Sequence, residues 1–151
     1  MELADLMHTE VLSVSPDTTM AEAARRMVER DTGAAVVLEG GDLVGLVSER
    51  DLMRVVSDGV DPQVPVSDRM TRHVLTGVPS MSIPDALAIM HDGRFRHLPV
   101  SDRGRVVGMV SMRDVMAWTA FRLRHGGSLE DGDDDAAELL AAIHRSRTGA
   151  N

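Results

Sequence analysis

Cysteine is absent from the 151 residues, which excludes disulfides, thiolate nucleophiles and cysteine-held metals and fits a reducing, cytoplasmic setting. Tyrosine is also absent, and with two Phe and one Trp the chain has little on which nucleic-acid bases could stack. The net charge of −8 opposes binding to polynucleotides or to an anionic membrane. No apolar run approaches the roughly 20 residues of a membrane span. The opening Met1-Glu-Leu-Ala-Asp-Leu6 lacks the basic start of a signal peptide. The histidines at 8, 73, 91, 97, 125 and 144 form no His-x-x-x-His pair, so no metal site is expected. Nucleophile-elbow, Walker and His-Glu-x-x-His patterns are missing, and neither Ser48 nor Ser111 has a paired base in sequence. The expectation is therefore a non-enzyme, with no catalytic residue. What abounds is methionine, eleven residues, expected mainly as adaptable core filler.

The chain also repeats itself. Residues 7–53 align without a gap on 70–116, with fifteen identities in 47 positions, where ordinary residue usage would give roughly three. The densest match is polar: Gly45-Leu-Val-Ser48-Glu-Arg50-Asp51 against Gly108-Met-Val-Ser111-Met-Arg113-Asp114. A repeat kept only for a core would preserve apolar spacing. One that preserves a hydroxyl, a cation and a carboxylate points to a site.

Each repeat reads β-α-β-β-α. A short strand, Val11–Val14 or Val74–Gly77, precedes a helix announced by Thr19-x-x-Glu22 or Ser82-x-x-Asp85, both capping-box patterns. Met20, Ala23, Ala24 and Met27, and then Ile83, Ala86, Leu87 and Met90, recur at helical spacing. Strand pairs follow at 34–38 with 43–47 and at 96–100 with 106–110, each joined by a Gly-bearing turn. A second helix starts at Ser48 or Ser111. The fold class is α+β, in α/β layers, with three-stranded sheets packed on helices and the repeats related by pseudo-two-fold symmetry. The expected division is repeat 1 over 1–57, a Pro- and Gly-bearing linker over 58–69, repeat 2 over 70–122, and an acidic, Gly-rich tail over 123–151. The tail has the composition of a flexible segment, and Ala136–His144 could form a short amphipathic helix. Gly77, where repeat 1 has Val14, should loosen the first strand of repeat 2.

The Ser-x-x-Asp spacing is itself a capping box. Three features argue for more. A Gly three residues before the Ser allows close approach of another group. An Arg precedes the Asp in both copies. The helix N-terminus offers unpaired N–H groups and a dipole to an anion. A hydroxyl, a cation and helix N–H groups suit a phosphate, and a carboxylate one turn on suits a ribose diol.

On these residues the chain resembles the cystathionine-β-synthase-type (CBS) domain pair, or Bateman module. The unit order, the repeat length, the doubled Gly-hydrophobic-hydrophobic-Ser-x-x-Asp motif, Gly33-Ala-Ala-Val-Val-Leu38 and Arg96-His-Leu-Pro-Val100 carry the likeness, over residues 1 to about 122. The resemblance implies a regulatory module that binds adenosine derivatives (AMP, ADP or ATP) in the cleft between repeats, with no obligatory cofactor and Mg²⁺ entering only with a polyphosphate. One site (site A) would use Ser48, Arg50 and Asp51 with Val74, Leu75, Phe95, Arg96, His97 and Pro99. The other (site B) would use Ser111, Arg113 and Asp114 with Val11, Leu12, Thr32, Gly33, Ala34 and Val36. Arg96 and His97 stand where the other site has Gly33 and Ala34, so site A should be tighter and prefer more phosphates.

The family also implies a homodimer. The apolar residues Leu52-Met53-Val55-Val56 and Val115-Met116-Trp118 of the second helices are the candidate seam. Since no effector domain is evident in the chain, the output would pass through an unidentified effector protein or through its own assembly. Two other readings stay open: a dimerisation module whose Ser-x-x-Asp pairs only cap helices, and a sensor of S-adenosylmethionine.

Overall fold

The computed structural model describes residues 1–124. The acidic stretch and the helix expected at Ala136–His144 lie outside the described residues. Two compact units emerge, and neither is contiguous in sequence. Among the described residues, the first comprises Glu10–Leu75 with Arg103–Val106; the second comprises Met1–Thr9, Thr76–Asp102 and Val107–Arg124.

In the first unit, β1 (Ser13–Val14) runs parallel to β2 (Ala34–Glu39), which pairs antiparallel with β3 (Asp42–Ser48) in the order β1-β2-β3. The β2–β3 turn places Gly40 and Gly41 at φ 59° and 90°, which glycine adopts without steric cost. Helix α2 (Met20–Glu29) begins as expected: Thr19 accepts the Glu22 N–H at 3.1 Å. Its Met20, Ala23 and Met27 face inward, because residues three and four apart share a helix face. Alternation along β2 sends Ala35 and Val37 into the same cluster as Leu12, Val14, Val47, Val55 and Val66. Full burial of such side chains contributes about 1.5–3 kcal/mol each. Helix α3 (Glu49–Ser57) follows β3 directly, and a single 3-10 turn at Val66–Asp68 supplies Val66 to the core.

In the second unit, α1 (Leu3–Leu6) buries Leu3 and Leu6 among Ile83, Ala86, Met90, Leu98, Val100, Val110, Val115 and Trp118. Helix α4 (Ile83–Gly93) is capped by Ser82, which accepts the Asp85 N–H at 3.2 Å. It ends at Arg94, whose left-handed φ of 54° terminates the helix. Strand β4 (His97–Asp102) pairs with β5 (Arg105–Ser111), and α5 (Met112–Arg124) follows. The third strand of this sheet shrinks to one parallel bridge, Gly77 to Val100. Its hydrogen bonding is reduced, but no space is left over: a Cβ on Gly77 would lie 2.5 Å from Leu3 Cδ1. At the repeat-equivalent positions the first unit has Val14 and Val66, both buried in its core, where the second has Gly77 against Leu3.

Helices α3 and α5 each divide their apolar residues between core and surface. Val55, Val115 and Trp118 are core, whereas Met53, Val56 and Met116 are 73%, 80% and 64% exposed. Consecutive helical residues lie about 100° apart, so an uninterrupted apolar run is divided between the core and the surface. No helix among the described residues is long and apolar enough to cross a membrane.

Candidate functional site

The repeated polar motif sits where β3 becomes α3, and again where β5 becomes α5. At the first junction Ser48 and Asp51 close a capping box. Asp51 Oδ2 accepts the Ser48 N–H at 2.8 Å and the Ser48 hydroxyl at 3.1 Å. At the second, Asp114 Oδ2 accepts the Ser111 N–H at 2.8 Å and its hydroxyl at 2.6 Å, while Ser111 Oγ accepts the Asp114 N–H at 3.3 Å. Both carboxylates are buried, Asp51 at 5% and Asp114 at 1% exposure. The cap accounts for that burial, because it gives a desolvated oxygen two donors.

Two of the three arguments for a ligand take a different form in the structure. The close approach that glycine permits is made by methionine. A Cβ on Gly45 would lie 2.3 Å from Met70 Sδ, and one on Gly108 would lie 2.5 Å from Met7 Sδ. Those methionines are held by matching bridges, Thr71 with Leu46 in the first unit and His8 with Met109 in the second. The helix N-termini are also largely satisfied internally. Glu49 N–H donates to the Gly33 carbonyl at 3.0 Å, and Met112 N–H donates to the Arg96 carbonyl at 2.8 Å. Any phosphate contact therefore falls mainly to side chains. Arg50, Arg96 and Arg113 are exposed and His97 is half-buried.

These internal bonds place residues of both candidate sites side by side within one unit. Ala34 is the register partner of Ser48, and Gly33 bonds to the head of α3. The strand residues assigned to site B thus adjoin the motif assigned to site A. The second unit repeats this, with Arg96 bonded to the head of α5.

The remaining candidates are placed as follows. Leu12, Ala34, Val36 and Pro99 are buried; Leu12 belongs to the first core, and its carbonyl accepts the Val36 N–H. Thr32 spends its hydroxyl on the Ala34 carbonyl at 3.3 Å. Val74 is half-buried and Leu75 is 55% exposed. Phe95 packs against the second core with its ring over Gly93. Val11 lines a 330 Å³ cavity in the first unit with Leu12, Ser13, Arg26, Glu29 and Arg30. Arg26 there is engaged by Glu22 at 2.8 Å. That bond, ahead of the nearby Arg25 charge, holds the Glu22 carboxyl below its ordinary range.

One residue outside both candidate sites reaches a motif. His8 Nε2 lies 3.3 Å from Asp114 Oδ1, so a histidine far away in the chain reaches the second motif. The only hint was positional, since the repeat alignment sets His8 against Thr71. No group of three or more acidic or histidine side chains among the described residues is placed to hold a metal ion.

The CBS domain family model matches residues 3–58 and again residues 66–120. The chain belongs to the CBS domain family. It is 39% identical, over 112 residues, to the CBS domain-containing protein YhcV of Bacillus subtilis (strain 168), covering 74% of this chain and 80% of that one. A solved CBS-domain-containing protein of Agrobacterium tumefaciens matches with a TM-score of 0.73 at 34% identity, over 77% of this chain and 97% of that one. A CBS domain protein of Pyrobaculum aerophilum, solved complexed with AMP, matches with a TM-score of 0.72 at 25% identity, over 76% and 89% of the two chains. The doubled capping motif thus marks the same junction of each CBS repeat.

Proposed function

We propose that this CBS pair is a regulatory module that binds adenine nucleotides (AMP, ADP or ATP) and signals through a partner or its own dimer. The observation that most supports this is the likeness to the Pyrobaculum protein complexed with AMP, combined with a buried carboxylate at the head of both α3 and α5. In each motif the cap occupies Oδ2, and Oδ1 is oriented elsewhere. In this reading a motif carboxylate at a helix head, Asp51 or Asp114, is the candidate to meet ribose, and Ser48, Arg50, Ser111 and Arg113 meet phosphate. Val74, Leu75, Phe95 and Pro99 on one side, and Val11, Leu12, Thr32, Gly33, Ala34 and Val36 on the other, enclose the bases. Arg96 and His97 give site A two more cationic or donor groups, worth roughly tenfold each in affinity when well placed. Mg²⁺ would enter only with a polyphosphate. The exposed Met53, Val56 and Met116 are the candidate seam of a homodimer.

The dimerisation reading has an observation of its own, since capping alone accounts for both Ser–Asp pairs. A thermal-shift series with AMP, ADP, ATP, adenosine and S-adenosylmethionine, with and without Mg²⁺, separates the readings. Ligand at 100 times its dissociation constant adds about 2.7 kcal/mol, a rise of several degrees for a chain of this size. A response graded by phosphate count supports the nucleotide module. A response to S-adenosylmethionine that AMP does not compete with favours that ligand. No response to any of them leaves the dimerisation module.

A further inference from the structure

The two motif carboxylates carry the same sequence signature but offer a ligand different numbers of acceptor positions. An ionised carboxylate has about four lone-pair positions, two on each oxygen. In both motifs the serine N–H and hydroxyl fill those of Oδ2. A cis-diol needs two more, and these must come from Oδ1.

At Asp51, Oδ1 faces Arg54 at 3.5 Å, and that arginine is 63% exposed. A contact so long and so exposed is weak and readily gives way to a ligand. At Asp114, Oδ1 is taken at 3.3 Å by His8, whose side chain is only 16% exposed. The ring is held by its own backbone: His8 N–H donates to the Met109 carbonyl and Met109 N–H returns to the His8 carbonyl, both at 2.9 Å. Thr71 makes the equivalent bridge to Leu46, at 2.8 and 2.9 Å. The two backbones thus agree, and the side chain at that position differs: a threonine in the first unit, an imidazole bonded to Asp114 in the second.

We propose that His8 is a specificity-determining residue that closes Asp114 to a ligand diol, so that ribose is read by Asp51 alone. This rests on the adenosine-ligand reading above and adds which carboxylate reads the sugar. The sites differ for a reason separate from Arg96 and His97, which bear on phosphate.

The test is calorimetric titration of the full chain with AMP and 2′-deoxy-AMP. Wild type should prefer AMP roughly tenfold in one class of site, the effect of losing one well-placed hydrogen bond to a charged group. Asp51→Asn should abolish that preference, and Asp114→Asn should leave it intact. His8→Thr, which installs the residue the first unit already carries, should create a second class of site that prefers AMP. Thr71→His should weaken the preference of the first class, and it tests the same claim should His8→Thr fail to fold. A purely structural role for His8 would move melting temperature without moving the AMP to deoxy-AMP ratio. The inference is overturned if Asp51→Asn and Asp114→Asn lower that ratio equally, or if His8→Thr and Thr71→His both leave it unchanged. Absence of binding by wild type to AMP or any other adenosine compound would overturn the nucleotide reading and this inference together.

Discussion

Gly45→Ala should reverse the sign of its effect on stability according to what occupies position 70. The added Cβ would stand 2.3 Å from Met70 Sδ and 2.9 Å from its Cγ, where ordinary contact is 3.4–4 Å. The thioether must therefore retreat by about 1 Å or more, and overpacking of this kind costs about 1–3 kcal/mol. Against this stands the backbone term. Gly45 has no positive φ and lies within β3, so alanine recovers about 0.5–1 kcal/mol of chain entropy. The net expectation is a loss of up to about 2.5 kcal/mol in the wild-type background. With Met70→Ala already made, the clash is gone, and Gly45→Ala should instead stabilise by about 0.5–1 kcal/mol. The coupling, about 1–3 kcal/mol, lies in the range expected for side chains in direct contact. Urea denaturation of the four proteins of this cycle measures it from the midpoints at constant m-value. A Gly45→Ala penalty of equal size in both backgrounds would refute the assignment of this glycine to Met70. A variant of unchanged stability that loses nucleotide binding would show instead that the glycine serves a ligand.

Three further outcomes follow from the same structure. Ser111→Ala removes a buried cap acceptor and should cost about 1–2 kcal/mol; Ser48→Ala, at a half-buried position, should cost less, and equal losses in chemical denaturation would refute the burial argument. Gly77→Val should destabilise by about 1–3 kcal/mol through collision with Leu3, and Leu3→Val in the same chain should recover much of it by recreating the Val14–Val66 pairing; a double variant no more stable than Gly77→Val would show the volumes are not exchangeable. The Glu22 carboxyl is depressed by Arg26, so its contribution is present above the unfolded value and lost as pH falls through the folded one. Glu22→Gln should flatten the decline of melting temperature across that acid range, and an unchanged slope would contradict it.

The repeat, the element order and the caps at Thr19, Ser82, Ser48 and Ser111 were legible in the chain because they are local. Hydrophobic period and the reach of one side chain over three residues decide them. The CBS family model matches the same two repeats, over residues 3–58 and 66–120. The candidate site was legible as a motif, and so was the close approach at its glycines, but not the group that makes it. The purpose of Gly45 and Gly108 depends on Met70 and Met7, which lie 25 and 101 residues away in sequence, and no local pattern announces such a contact.

Sequence by itself thus determined two β-α-β-β-α repeats, each with a serine–aspartate pair at a helix head. Tertiary structure decided what those groups still have to offer. It grouped Met1–Thr9 with the second unit rather than with the repeat that follows it. That grouping filled the space beside Gly77 with Leu3, laid Met7 over Gly108 and brought His8 to Asp114. Two identical motifs differ because hydrogen-bonding capacity is finite, and how much remains depends on neighbours that only the folded chain brings near.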